Sequence, residues 1–368
     1  MSALGDLPQA PPEIGDVLPE ARFRLAPGSV EEVAAVFDAA SERRASVLVW
    51  GAGTHQGIGH RVDAEVVLST ARLDRVVDWQ PADLTVVVEG GVTVGALESM
   101  LAERGQTALL PEWGTEATVG GVVAAGISGY RRARLGPTRD RVLEVTIVTG
   151  DGRVVRGGGR VVKNVSGYDL PRLATGSLGS LGVLVTLCLK LWPLPGSRAT
   201  LSVPRADRAW RDAFRPLAVL QTQSEHLVFL QGTPEEVASQ ADRIGGRRVD
   251  GHRWPSPPEG EAVVSLRVRP SLVGPALAQL PSGAPFVAQH GVGEVTVGVD
   301  ADPALLGPMR SWAEDRGGSL VVLAAPPGLY ERFDPWGRPP EGLGIQRRLV
   351  AAFDPVGVSN PGRLPGRI

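Results

Sequence analysis

Two hydrophobic periods alternate along this chain, and the switches between them mark its elements. Ser29 precedes EEVAAVFDAASERR, in which apolar residues return every three or four positions. Glu32 lies three residues after Ser29, so a capping box opening an amphipathic helix is expected. VLVW (47–50) reads as a buried strand running straight into GAGTHQGIGH (51–60), and VVLS (66–69) as another strand. RVVDW (75–79) and LTVVVEG (84–90) flank Pro81, Ala82 and Asp83 as hairpin arms do. Helical spacing from Thr93 to Arg104 stops at Gly105. VLEVTIVTGDGRVVR (142–156) is a hairpin turned at Asp151-Gly152.

The texture changes between about 197 and 330. Strand-like TLSV, HLVFL, AVVSLRV, EVTVGV and SLVVL alternate with helix-like DRAWRDAFRPLAVL, PEEVASQADRI and PALLGPMRSWAEDR. This pattern has two roughly similar halves, as in a ferredoxin-like α+β layer. Proline-rich linkers at 254–258 and 281–285 separate its pieces. The tail GIQRRLVAAFDPVGVSNPGRL (344–364) reads as a helix followed by turns.

Composition narrows the chemistry. A chain of 368 residues is long enough for two domains. With 43% hydrophobic and 21% charged residues it is ordinary globular material, and a net charge of −2 gives no broad basic field for nucleic acid. Cys188 is the only cysteine, which leaves no internal disulfide and no cysteine-held cluster within this chain. It sits in VLVTLCLKL and reads as a buried structural thiol. No run of about 18 apolar residues is present, and the N-terminus has neither a basic nor an apolar signal region. A cytoplasmic location is the expectation, with attachment to the inner membrane only through partners.

The candidate chemistry lies in glycine-rich blocks. GAGTHQG (51–57) follows a strand, as a dinucleotide loop does, but it reaches the next strand too soon for a Rossmann helix. No Walker loop occurs. ATVGGVVAAGISG (117–129) is small and apolar, and residues 160–190 place Gly167, Gly176, Gly179 and Gly182 beside Lys163, Asn164, Tyr168 and Asp169. Glycines let main-chain N–H groups approach a flat, charged ligand.

Three such blocks in order, with the tail, resemble the flavoprotein family of vanillyl-alcohol oxidase and p-cresol methylhydroxylase (PCMH). GAGTH (51–55) looks like the pyrophosphate turn of that family, and PEWGTEATVGG (111–121) with AAGISG like its second loop and short helix. VKNVSGYDL (162–170) with GSLGSLGV (176–183) resembles the glycolate oxidase and D-lactate dehydrogenase version, and FDPVGVSNPGR (353–363) the C-terminal return. The short length and KNVSGYDL are similar to the smaller of the two FAD-binding subunits of glycolate oxidase complexes.

The resemblance implies an α+β fold: a PCMH-type FAD-binding domain of two α+β subdomains, plus a ferredoxin-like α+β cap. The expected bounds are a flexible arm at 1–19, the FAD domain at 20–195, the cap at 196–330 and a return segment at 331–368. It implies FAD contacts at Gly51, Ala52, Gly53, Thr54, His55, Pro111, Thr118, Gly120, Gly121, Ala124, Gly126, Ser128, Lys163, Asn164, Gly167, Tyr168, Gly182, Val183 and Asn360. Thr118 is equally a helix cap, and Asp169 a cap for the DLPRL turn. Thr54 stands where covalently flavinylated relatives carry histidine, so FAD is expected to be non-covalent. No histidine-rich metal motif is present, and no metal is expected. Candidates for catalysis are His290 as a base, Arg363 as a carboxylate fork and Tyr168; structural roles remain open for each.

The implied function is oxidation of a short 2-hydroxy acid, glycolate or D-lactate, by hydride transfer to flavin N5. Electrons would pass to a larger FAD subunit and an iron–sulfur subunit. Two alternatives stay open: a non-catalytic flavin-bearing scaffold or electron-transfer subunit, and a stand-alone FAD oxidase or dehydrogenase acting on another alcohol or sugar.

Overall fold

The computed structural model describes residues 5, 8–9, 21–160, 167–206 and 209–368. Most of the N-terminal arm, and both Lys163 and Asn164, lie outside the described residues. The chain divides into two compact units. The first holds Met1–Ile127, Thr138–Pro193 and Pro339–Ile368, and the second Ser128–Pro137 and Leu194–Arg338.

In the first unit, Phe23–Leu25, Val66–Ser69 and Val47–Trp50 form a three-stranded parallel sheet in that order. The helix Val30–Arg43 packs its Val33, Val36, Phe37 and Ala40 face into that sheet's core. Ser29 accepts from the Glu32 N–H, as expected, but Glu32 reaches one residue further back, to the Gly28 N–H at 2.6 Å. The reciprocal half of the expected capping box is therefore displaced by one position. Thr233 and Glu236, in the second unit, make both halves of such a box.

A five-stranded antiparallel sheet follows, ordered Val76–Gln80, Thr85–Glu89, Val183–Lys190, Val142–Val148, Val154–Gly158. Val183–Lys190 is central because it is apolar on both faces, and a strand buried on both faces needs no alternation. Cys188 is 1% exposed there, and burial pushes its thiol up to about 11, as expected of an inert structural cysteine. The helices Val94–Ala102 and Val119–Ala125 cover this sheet. Val148, Val183 and Val185 join the core beneath Val30–Arg43, so the two subdomains share apolar packing.

The second unit is one eight-stranded antiparallel sheet: Arg247–Asp250, Ser197–Pro204, Glu225–Gly232, Ala218–Gln221, Phe286–Gln289, Glu294–Val299, Ala262–Arg267, Ser319–Ala324. Numbered by chain order within each half, both halves have the order 4-1-3-2 of a ferredoxin-like unit. The halves meet through Leu220↔Gln289 and Gln221↔Ala288, which pairs two edges that would otherwise stand open. Each of the two similar halves expected within one ferredoxin-like layer is itself a complete four-stranded layer. DRAWRDAFRPLAVL corrects the helical expectation. It gives a short turn at Ala209–Asp212 and then the strand Ala218–Gln221. Pro216 lacks the N–H that a helix needs there, and Arg215 takes φ 50°, which breaks the right-handed run.

Ser128–Pro137 is held within the second unit. Tyr130 stacks on Trp254 at 5.9 Å, and Arg132 pairs with the buried Glu294 at 3.2 Å. Glu294 also accepts from Ser265 at 2.7 Å and Arg267 at 3.1 Å, so the carboxylate is hydrogen-bonded on both oxygens. Among the described residues, no helix is long and apolar enough to cross a membrane.

Candidate functional site

A crevice in the first unit gathers the glycine blocks. Its walls come from Val49 and Gly51–Gln56, from Thr118, Gly120, Gly121 and Ala124, from Leu178, Gly179 and Gly182–Leu184, and from Asn360 and Arg363. Each segment arrives there for a local reason. The loop 51–56 leaves the C-terminal end of the strand Val47–Trp50. Thr118 caps the helix Val119–Ala125 by accepting from the Gly121 N–H at 3.1 Å. Residues 178–182 turn into the central strand Val183–Lys190.

The loop offers donors with no internal use. The backbone N–H groups of Gly51, Ala52, Gly53, Thr54 and His55 reach no protein acceptor among the described residues. A run of unspent N–H groups at the end of a strand suits an acceptor-only ligand such as a diphosphate. Two glycines make the approach possible. A Cβ on Gly51 would drive into Thr118 Oγ1. A Cβ on Gly120 would lie 2.7 Å from Gly90 O, where the Gly120 N–H already bonds at 2.8 Å. The apolar walls Val49, Leu178, Val183 and Leu184 continue the crevice as a surface for a flat ring system. Unspent loop N–H donors together with apolar wall side chains fit FAD.

His55 is held below the ordinary histidine value. Burial lowers its pKa first, and Arg363 adds to that, while Glu116 pulls the other way. Its Nδ1 lies 3.0 Å from Thr54 Oγ1.

Of the residues the sequence pointed to, the crevice brings together Gly51, Ala52, Gly53, Thr54, His55, Thr118, Gly120, Gly121, Ala124, Gly182, Val183 and Asn360, with Arg363. Pro111 and Gly126 do not line it, and Gly126 instead ends the helix Val119–Ala125. Gly167 and Tyr168 do not line it either, and Tyr168 is 91% exposed. Asp169 caps the helix Leu170–Ala174 by accepting from the Arg172 N–H. Ser128 belongs to the second unit. The sequence did not point to Gln56, which bonds Val49 O through Nε2 at 3.0 Å and Arg363 through Oε1. Its only signal was its place in the GAGTHQG loop.

The C-terminal residues are tied to the loop. Asn360 Oδ1 accepts from the Val49 N–H at 2.8 Å, and its Nδ2 donates to Leu178 O at 2.5 Å. Arg363 is 4% exposed and donates to Gln56 Oε1, Ile58 O, His55 O and Gln56 O.

In the second unit, His290 lines a cavity of about 640 Å³ with Trp210, Arg134, Arg211 and Ser271. Its Nε2 lies 2.9 Å from Gln221 Oε1, and its ring packs on Trp210 at 4.9 Å. Burial lowers the His290 pKa to about 4, with His226 and Arg211 acting in the same sense. Burial likewise lowers His252 to about 4; its hydrogen bond to Leu230 O opposes this, while Arg198 and Arg131 add to it. The unfolded chain takes up these protons near 6.5 and the folded chain only near 4. Stability is therefore full above pH 6.5 and falls as the pH drops from 6.5 toward 4. The full linkage value is about 3 kcal/mol per ring, but both rings are half-buried, so solvent screening should leave about 1–2 kcal/mol each. Thermal unfolding followed from pH 7 to pH 4 should show that loss, and a His252→Gln, His290→Gln double variant should flatten it.

Among the described residues, no group of three or more His, Cys, Asp or Glu converges on a point.

The fold and the donor-lined crevice define a flavin-nucleotide protein of the PCMH type. Residues 21–158 match the family described as FAD binding domain. The chain belongs to that FAD-binding oxidoreductase family. Glycolate oxidase subunit GlcE of Escherichia coli is 33% identical over 312 residues, which is 78% of this chain and 84% of that protein. D-lactate dehydrogenase of Archaeoglobus fulgidus is 33% identical over 258 residues, 69% of this chain and 55% of that protein. D-2-hydroxyglutarate dehydrogenase of Xanthomonas citri pv. viticola is 34% identical over 185 residues, and only 39% of that protein is spanned. Among solved structures, alkyldihydroxyacetonephosphate synthase superposes with a TM-score of 0.63 at 16% identity, covering 92% of this chain and 77% of that one. That likeness concerns the fold alone. The protein is thus an FAD-binding oxidoreductase related to glycolate oxidase subunits and D-lactate dehydrogenases.

Proposed function

We propose that this chain is the smaller flavin-bearing subunit of a glycolate oxidase-type complex that oxidises a short 2-hydroxy acid, glycolate or D-lactate. What supports the reading is the crevice of unspent loop donors in a chain that spans 84% of a glycolate oxidase subunit. The first unit is the flavin domain and the second the cap. The N–H groups of 51–55 hold the diphosphate, and Val49, Leu178, Val183 and Leu184 keep water from the ring. Bound FAD supplies hydride acceptance from the substrate carbon and passes the electrons on. Thr54 holds the position at which covalent relatives carry histidine, and His55 comes one residue later, so the FAD is held without a bond. A larger flavin subunit and an iron–sulfur subunit are the partners that drain the electrons.

A second reading, a flavin-bearing subunit without its own substrate chemistry, draws on the catalytic candidates. Arg363 spends its guanidinium on loop carbonyls and Gln56, and Tyr168 is turned to solvent. One experiment separates the two. The purified chain is mixed with glycolate or D-lactate without oxygen, and flavin absorbance is followed. Bleaching by the chain alone supports the enzyme; bleaching only after partner subunits are added supports the second reading. A chain that is colourless and takes up no FAD refutes both.

A further inference from the structure

Arg363 and Asn360 close a ring of hydrogen bonds around the root of the donor loop. Arg363 Nη1 donates to Gln56 Oε1 at 2.5 Å. Gln56 Nε2 donates to Val49 O at 3.0 Å. The Val49 N–H donates to Asn360 Oδ1 at 2.8 Å, and the Arg363 N–H returns to Asn360 O at 3.4 Å. Outside the ring, Arg363 holds Ile58 O, His55 O and Gln56 O, so one guanidinium fixes both ends of the turn that follows the donors. The Asn360 N–H donates to Val47 O, and Ser359 bridges Val47 in parallel, which extends the sheet by a stub. Asn360 takes φ 43°, a left-handed conformation that asparagine tolerates better than most residues. Every polar end of Gln56 is used, and Arg363 is 4% exposed.

We propose that Arg363, with Asn360 and Gln56, is a positioning device that preorganises loop 51–55 for the diphosphate of FAD, so that retention of the cofactor depends on the last ten residues of the chain staying docked. This rests on the FAD reading of the crevice. Donors held in place before binding lose less order when the ligand arrives. A planar fork that grips several carbonyls does what a point charge cannot. Lysine at 363 would keep the charge near the crevice and lose the fork.

The test uses the full-length holo-protein and the variants Arg363→Lys, Arg363→Ala and Gln56→Ala, with Arg153→Ala as control. Arg153 bonds Ala352 O at the surface and touches no part of the crevice. FAD release is timed by recovery of flavin fluorescence on dilution, and amide exchange is read across 51–58 and across the strand 142–148. In the wild type, amides 51–55 should be protected until FAD leaves; if they are not, the crevice reading itself fails, whatever the variants do. With that protection present, Arg363→Lys should release FAD roughly tenfold to a hundredfold faster and loosen 51–58 while 142–148 stays protected. Arg153→Ala should match the wild type. Wild-type release from Arg363→Lys would overturn the proposal, because a charge alone would then suffice. Should the variants at 363 fail to fold, Gln56→Ala decides: faster release with a loosened loop supports the ring, and unchanged release overturns it.

Discussion

A Gly51→Ala substitution should strip the purified protein of most of its flavin. The added Cβ would meet Thr118 Oγ1 at a separation no real Cβ shows, with Thr118 Cγ2 at 3.3 Å and Cβ at 3.4 Å behind it. Two responses are open, and both are costly. Thr118 can turn away, which removes its bond to the Gly121 N–H and the cap on Val119–Ala125, a loss of about 1 kcal/mol. Otherwise the loop shifts, and its N–H groups no longer converge on a phosphate. Each hydrogen bond to a charged group contributes about 1.5–3 kcal/mol, so losing one or two weakens FAD about tenfold to ten-thousandfold. The ratio of flavin to protein absorbance after gel filtration gives the answer. Full occupancy in Gly51→Ala would mean that this loop does not carry the diphosphate.

Asp354→Ala should produce the largest loss of stability. Asp354 is 3% exposed and holds the turn into the C-terminal return. Its Oδ1 accepts from the Gly357 and Val358 N–H groups at 3.0 Å each, and its Oδ2 from the Ser359 N–H at 2.7 Å. Alanine leaves those donors without the carboxylate, two of them in bonds that are fully buried. Unmet buried donors cost about 1–3 kcal/mol each, and the sum should be about 3–5 kcal/mol. For a unit of this size the melting temperature should fall by about 6–20 °C. Asp354→Asn keeps one acceptor oxygen and should fall about half as far. Equal melting temperatures for Asp354→Ala and the wild type would show that the turn 354–359 carries no stability. Because residues 360–363 follow directly, the alanine variant should also bind FAD less firmly.

The two substitutions fail for different kinds of reason, and the difference bears on what a sequence can announce. Gly51 was conspicuous from the start. A glycine-rich loop after an apolar strand, too close to the next strand for a helix, limits the backbone to a short list of tasks. Asp354 was not conspicuous. A short-range cap within a turn is recognisable only once the turn is known, and FDPVGVSNPGR read only as turns of a C-terminal return. Asp169 shows the opposite case, because capping of DLPRL was one of the two readings the sequence offered for it and the structure has that cap.

The same contrast holds for elements. Strands such as VLVW and SLVVL were legible because four or more apolar residues between turn signals have few other uses. DRAWRDAFRPLAVL was misleading, since its period fits a helix until Pro216 and the pull of the neighbouring strand 225–232 decide otherwise. Gln56 and Arg363 belong to a third class. Arg363 suggested solvent or a substrate carboxylate and Gln56 was not singled out, and 307 positions of chain separate them, yet they meet at 2.5 Å.

By itself, the sequence determined most of the strands and helices, though not the DRAWRDAFRPLAVL segment, and it determined that glycine loops recur in a fixed order and that neither an internal disulfide nor a cysteine-held metal can help this chain fold. Those properties follow from local period, backbone freedom and composition, which need no partner in space. The tertiary structure alone decided that 128–137 joins the second unit, that this unit is two ferredoxin-like layers sharing an edge, and that Arg363 bonds the loop carbonyls. The reason is physical: a buried guanidinium or an open sheet edge takes whichever acceptors the packed chain brings within reach, and local sequence does not encode which distant carbonyls those are.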